Sequence, residues 1–375
     1  MRAPVPVLLM TRELGIGGTE RQLCEIAKAL DRKRFQPHVA CFHSRGFRAE
    51  ELRAAGVPIL HLPVRSFKRP GAIKGAWQLR NYIRRERIAL VHTFDVPMNQ
   101  FGVPVARASG AAVVLSSQRA HRDLVSPAVR RLLRLTDRLV DGIVVNSQAV
   151  GRQLIEEDRV PPERIHLCYN AIDTARFFAG PRVRPSALRD ASVVFGVVCA
   201  LRPEKGLATL LDAFAEVHRA DAASRLVIVG DGPVLEDLKA RCSALGLDGA
   251  CRFESATDRV AEWLHAIDVF VLPSLSEALS NSLMEAMACG CCAVASRTGG
   301  NPELIEHERT GLLFTPGDAA GLAQCLKRLA GDFEFRQRLA DAGAAFIQKF
   351  SLEASVRRME QIYAGFLLRR SKRCA

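Results

Sequence analysis

Short runs that are apolar at nearly every position recur along this chain, each set apart from the next by an amphipathic or polar stretch. In the first half they are Val5–Thr11, His38–Phe42, Pro58–Leu62, Leu90–Thr93, Val113–Ser116, Gly142–Asn146 and Ile165–Tyr169. A strand with one face in water alternates apolar and polar residues; a run apolar throughout must be covered on both faces. The intervening stretches, such as Glu20–Leu30 and Gly71–Glu86, space their apolar residues as an amphipathic helix does. Alternation of this kind predicts a parallel sheet sandwiched between helices. The segment Phe178–Ser192, rich in Pro, Arg and small residues, reads as a linker, and the pattern then restarts. Its second set of runs is Val193–Cys199, Leu226–Val229, Val269–Leu272, Cys292–Ser296 and Gly311–Phe314.

The expectation is therefore an α/β protein of two doubly wound, Rossmann-like domains, residues 1–178 and 190–351. The last helix, about 352–375, is expected to pack back on the first domain. At 375 residues the chain is long for a single domain, which agrees. Open α/β sheets bind ligands beyond the C-terminal ends of their strands, where strand order reverses. Two such domains facing each other would set those loops around a central cleft.

No apolar run approaches the ~20 residues that span a bilayer, and MRAPVPVLLM reads as a first strand rather than a signal peptide. Eleven cysteines, odd in number and without pairing spacing, fit reduced thiols in a cytoplasm better than a disulfide framework. Cys289, Cys291 and Cys292 have no second Cys/His group to complete four ligands, so no metal is expected. The charge is lopsided. Residues 1–180 hold 29 Lys and Arg against 16 Asp and Glu, and residues 181–375 hold 24 of each, so the first half carries the whole net +13.

Four loops at strand ends carry the chemistry. In TRELGIGGTERQ the run Gly15-Ile16-Gly17-Gly18 lets backbone approach a ligand and leaves helix N–H groups for an anion. Glu20 stands where a dinucleotide fingerprint needs a small residue, so a nicotinamide enzyme is not indicated. In ALRPEKG, Arg202 and Lys205 suit the oxygens of a diphosphate, as a bidentate fork and a mobile point charge. VGDGPVLEDL is again strand, glycine turn and helix, and speaks for architecture alone.

The fourth loop, SLSEALSNSLMEAMACG, sets Glu277 and Glu285 either side of a strand-to-helix corner. Ionised carboxylates accept hydrogen bonds from vicinal hydroxyls, such as those of a sugar and a ribose. The backbone N–H groups of Leu279, Ser280 and Asn281 would lie near a phosphate in the middle. The competing reading of Glu285 is a capping box, with Ser282 as the cap and Glu285 three residues on.

Together these loops resemble the retaining glycosyltransferases of family 4 (group 1), which have the GT-B fold. The resemblance spans nearly the whole chain and is carried by SEALSNSLMEAMACG, VASRTGGNPELI and TGLLFTPGD, with LGIGGTERQ, LRPEKG, LVIVGDGP and CYNAIDTARF in support. It implies that Glu277 grips the transferred sugar as the catalytic carboxylate and Glu285 the ribose. Arg202 and Lys205 would hold the donor diphosphate, and Gly17 and Gly18 would close over its phosphate. Retention of configuration follows from the resemblance only. Two departures stand out. Cys199-Ala200-Leu201 replaces the family's Gly-Arg-Leu, and Gln118-Arg119 stands where many relatives have a histidine, with Arg119 and His121 as candidate neighbours of the acceptor.

The reading, then, is a transferase taking a sugar from a nucleotide-sugar to a saccharide or lipid-linked acceptor, in cell-surface polysaccharide or glycolipid synthesis. No cofactor is needed beyond the donor itself. Arg130, Arg131, Arg134 and Arg138 on one amphipathic stretch, with RSFKRP and QLRNYIRRER, suggest a cytoplasmic protein held peripherally on an anionic membrane face. Nucleic acid is not indicated, because stacking aromatics and binding motifs are lacking. The alternatives are a non-catalytic nucleotide-sugar-binding subunit and a sugar-nucleotide epimerase.

Overall fold

The computed structural model describes residues 3–15 and 17–374, and the chain divides into two compact units. The first comprises residues 1–171 and 352–375, the second residues 172–351. Strands of the first unit are β1 (Val5–Glu13), β2 (Phe35–His43), β3 (Ile59–His61), β4 (Leu90–Thr93), β5 (Val113–Gln118), β6 (Gly142–Val145) and β7 (Ile165–Leu167). They form a wholly parallel sheet in the order β3-β2-β1-β4-β5-β6-β7. Each expected run of this half lies on one of them.

The second unit carries β8 (Val194–Val198), β9 (Arg225–Val229), β10 (Cys251–Glu254), β11 (Val269–Leu272), β12 (Cys292–Ser296) and β13 (Leu312–Phe314), parallel in the order β10-β9-β8-β11-β12-β13. The strand β10, with sequence CRFE, was not legible. It is an edge strand pairing only β9, and edges tolerate charge because one side faces water. In both units the order reverses beside the first strand, between β1 and β4 and between β8 and β11.

The boundaries differ from the expected 178 and 190 for local reasons. Ile172 bridges Ser351, and its N–H donates to the Phe350 carbonyl at 2.9 Å. The buried Phe177 follows, so residues 172–178 belong with the second unit. Nor is Phe178–Ser192 a loose linker. Arg184 donates to Asp268 Oδ2 at 2.5 Å, the same oxygen that accepts from Val194 N–H at 2.7 Å, and Leu188 is buried. It is a strap tied across the end of β11.

The helix Leu352–Cys374 completes the core of the first unit with Met359, Ile362 and Tyr363. Glu360 accepts from Asp31 N–H and from Arg34 Nη1, both at 2.8 Å. The Tyr363 hydroxyl lies 2.8 Å from His92 Nδ1, and His92 Nε2 lies 2.9 Å from Ser117 Oγ. This chain ties the returning helix to β4 and β5.

Burial, with the Arg119 charge adding to it, pushes the His92 imidazole down to about 3. Below its ordinary 6.5 the unfolded chain takes up a proton that the folded chain refuses. The stability His92 contributes is thus complete above about pH 6.5 and is lost as pH falls toward 3, by at most ~1.4 kcal/mol per pH unit. Urea unfolding at several pH values from 7 to 5 should show His92→Gln with a shallower fall than wild type. An unchanged slope would show that His92 does not set it.

Candidate active site

Reversal of strand order at β8 and β11 sends their following helices to opposite faces and leaves a crevice at their C-terminal ends. The two loops that border it are joined by backbone. Leu275 N–H donates to the Glu204 carbonyl at 2.8 Å. At Gly206, with φ +63°, an added Cβ would stand 2.2 Å from the Pro273 carbonyl oxygen, so only glycine lets the loops approach this closely. A 3₁₀ turn, Pro203–Lys205, precedes it, and the helix Leu207–Ala220 follows.

This framing sets the ammonium of Lys205 against the carboxylate of Glu277, Nζ to Oε2 at 2.6 Å. Both side chains are mostly buried. Burial alone would lower the Lys205 pKa, but the charge and hydrogen bond of Glu277 outweigh it and raise it. Ser274 Oγ donates to the same Oε2 at 3.4 Å, and the Glu277 carbonyl accepts from Gly300 N–H at 3.3 Å. The loop after β12 closes the third side. Ser296 Oγ donates to the Ser274 carbonyl at 2.5 Å, Thr298 Oγ1 to the Leu275 carbonyl at 3.3 Å, and Asn301 Nδ2 to the Ser296 carbonyl at 3.0 Å. Ser274, Thr298, Gly300 and Asn301 were not singled out in the sequence, although Gly299-Gly300 in that loop was the available signal.

The other expected residues fall around this pair to different degrees. Arg202 opens the 3₁₀ turn on its solvent side, its side chain 62% exposed and 4.0 Å from Glu204. Leu279 is buried, Ser280 is the cap of the helix Asn281–Ala288, and Asn281 is that helix's first residue. The capping-box reading is corrected here. Ser280 Oγ accepts from Leu283 N–H at 3.2 Å, so the cap lies two residues before Ser282 and the third helical residue is Leu283, not Glu285. Glu285 instead sits within the helix, 3% exposed. A carboxylate buried there is not accounted for by helix capping.

Cys199, in the loop after β8, is driven up to about 12 by burial and is inert at neutral pH. Cys291 is likewise buried, with Sγ to the Leu264 carbonyl at 3.2 Å. Among the described residues no group of three or more His, Cys, Asp or Glu is placed to hold a metal.

The remaining candidates belong to the first unit. Gly17 caps the helix Gly18–Ala29, and both glycines are exposed. The Glu20 carboxylate occupies the space a Cβ on Gly17 would take, and burial, then the charges of Asp95 and Glu13, raises its pKa. Arg119 Nη2 donates to Asn170 Oδ1 at 2.5 Å, its guanidinium lies over the Phe94 ring, and burial pulls its pKa down to about 10. His121 is turned aside, Nδ1 lying 3.0 Å from Gln153 Oε1 on the helix Gln148–Glu156.

The chain thus has two Rossmann-like units, one with a carboxylate–ammonium pair at its switch point. Comparison with known proteins makes the class definite. Residues 16–176 match the model of Glycosyltransferase Family 4, and residues 192–332 that of Glycosyl transferases group 1. Over 288 residues the chain is 30% identical to a GDP-mannose-dependent alpha-(1-6)-phosphatidylinositol monomannoside mannosyltransferase of Mycobacterium tuberculosis, covering 70% of this chain and 73% of that one. Over 248 residues it is 29% identical to an N-acetyl-alpha-D-glucosaminyl L-malate synthase of Bacillus anthracis, and this match spans 64% of each chain, just under two thirds of that relative's length. Anabaena HepE, solved in complex with UDP and glucose, shares the fold with a TM-score of 0.84 at 20% identity, over 96% of this chain and 99% of that one. The chain belongs to glycosyltransferase family 4.

Removing either partner of the Lys205–Glu277 pair strands the other charge in a mostly buried setting. Lys205→Met and Glu277→Gln should each cost about 3–5 kcal/mol in urea unfolding, and the double variant less than the sum. Strict additivity would mean that the two groups do not interact.

Proposed function

We propose that the protein transfers a glycosyl group from a nucleoside-diphosphate sugar to a hydroxyl of a saccharide or lipid-linked saccharide. The observation that carries this reading is the 2.6 Å Lys205–Glu277 pair in the crevice where β8 and β11 diverge. It gives one site both a cation for a diphosphate and a carboxylate for hydroxyls. A nucleoside-diphosphate donor is supported by the family and by the UDP and glucose of HepE; a lipid-borne acceptor is supported by the name of the mycobacterial relative.

In this reading Lys205 shifts its ammonium from Glu277 to the donor diphosphate and stabilises the charge that grows on the leaving group as the glycosidic bond breaks. Arg202, on the same loop, reaches the outer phosphate oxygens. Glu277, released from Lys205, accepts hydrogen bonds from the hydroxyls of the sugar, and Glu285 serves the ribose. The N-terminus of Asn281–Ala288 adds its dipole on the phosphate side. Such preorganised donors are worth ~3–4 kcal/mol each in a transition state. Retention of configuration is the stereochemistry the family implies. The first unit, which carries Arg119 and His121, takes the acceptor. Ten of the eleven cysteines, from Cys24 to Cys325, are free thiols, which supports a reducing, cytoplasmic setting.

Release of nucleoside diphosphate from UDP-, GDP- and ADP-sugars, with and without a membrane lipid extract, tests this. One donor should turn over. Glu277→Ala and Lys205→Ala should lower that rate ~10²–10³-fold, and lipid extract should raise it. Tight donor binding without turnover under any acceptor condition would favour a binding subunit, and failure to bind any of the donors would sink the reading.

A further inference from the structure

The basic amphipathic stretch singled out in the sequence does not present the charges expected of it. Arg130 donates to Asp158 Oδ1 at 2.9 Å and to Glu157 Oε2 at 2.7 Å, and Arg134 donates to Asp158 Oδ1 at 2.6 Å. Both arginines are paired within the first unit, Arg130 mostly buried and Arg134 still exposed at the surface. Asp158 and Asp137 also hold the buried Arg122, whose two terminal nitrogens reach Asp137 at 2.7 and 3.0 Å. What the helix Pro127–Leu139 turns outward is Leu132, Leu135 and Leu139, with Arg131 and Arg138 among them.

A second stripe lies on the helix Pro70–Arg85. Its inner face buries Gly75, Leu79, Tyr82 and Ile83. Its outer face leaves Ile73 77% and Trp77 65% exposed, one turn apart, with Lys74, Arg80 and Arg84 exposed around them. Large apolar side chains this open to water contribute little to the fold and call for another explanation.

The two stripes share a face. Right-handed crossovers put the helices that follow β3, β4 and β5 on the same side of the sheet. The middle one, Val96–Ala108, packs against Pro70–Arg85 on one flank and Pro127–Leu139 on the other. No glutamate occurs in any of the three, and their one aspartate, Asp137, is buried against Arg122. These three helices therefore show water apolar side chains and cations with no exposed carboxylate among them. The exposed Glu156 and Glu157 of the same side lie at the end of the next helix, Gln148–Glu156, beyond Pro127–Leu139.

From this we infer that the helix layer of the first unit is a docking face for an anionic lipid bilayer, anchored by Ile73 and Trp77 and seconded by Leu132, Leu135 and Leu139. Tryptophan with aliphatic neighbours inside a ring of Lys and Arg suits the headgroup boundary, where the ring partitions between apolar and wet zones and the cations meet lipid phosphates. The inference rests on the proposed lipid-linked acceptor for its purpose, though not for its geometry. It assigns the attachment to Ile73 and Trp77, not to Arg130 and Arg134.

The full chain carrying Trp263→Phe, which leaves Trp77 as the sole tryptophan, is mixed with vesicles of phosphatidylcholine with or without about a third phosphatidylglycerol. Brominated acyl chains should quench Trp77 emission in the anionic vesicles alone. Cosedimentation of the otherwise unaltered chain should weaken ~10-fold or more in Ile73→Ser/Trp77→Ser and, by charge, in Lys74→Gln/Arg80→Gln. Arg130→Gln should leave it within about twofold. Vesicle binding with Trp77 unquenched, no vesicle binding, or a lipid-free dimer that buries Trp77 would each overturn the inference. Donor binding by the same variants in lipid-free buffer should match wild type. Its absence in every variant and in wild type would count against the transferase reading instead and leave the docking result standing.

Discussion

A parallel sheet grown outward from its first strand must reverse direction once, and that reversal is the constraint on which the rest of this molecule hangs. At β8 and β11 it leaves a gap that no helix fills, and the adjoining loops must satisfy their own backbone. They do so through each other, Leu275 N–H to the Glu204 carbonyl, with Gly206 pressed against the Pro273 carbonyl. Once the loops are joined in this way, Lys205 and Glu277 have little choice but to meet. The ion pair follows from the backbone arrangement.

The same pair balances its own charges. A mostly buried ammonium needs a counter-charge, and Glu277 supplies it while Ser274 takes part of the remaining hydrogen-bonding capacity of the carboxylate. In the function proposed above, a diphosphate entering the crevice would compete for Lys205 and free the carboxylate for hydroxyls. The first unit handles its charges differently. Arg122, Asp137 and Asp158 lock the loop after β5 in place, and the cations that remain exposed lie on the outer helices. Its net positive charge is therefore divided between internal ties and an outward face.

Much of this was legible in the sequence, because strand and helix periods are local. Twelve of the thirteen strands announce themselves as runs apolar on both faces. The exception, Cys251–Glu254, carries Arg252 and Glu254 at an edge where only one side must pair. Glu277 and Lys205 could be named from their loops, but their contact could not, since 72 residues separate them. The helix cap was misplaced because Ser280 and Ser282 are equivalent in composition, and only the helix start decides between them. Arg130 and Arg134 were read as part of a basic row facing an anionic membrane. Their partners, Asp158 and Glu157, come from after the next strand and are invisible to helical spacing. The exposed Ile73 and Trp77 were hidden for the converse reason, since an apolar residue in an amphipathic pattern is assigned to the core by default.

Hydrogen exchange of backbone amides, with and without saturating UDP, tests the central claim most directly. The account predicts slowed exchange in residues 199–206 and 274–283, the two loops that Lys205 and Glu277 join. Binding of UDP with slowing confined to other segments would contradict it.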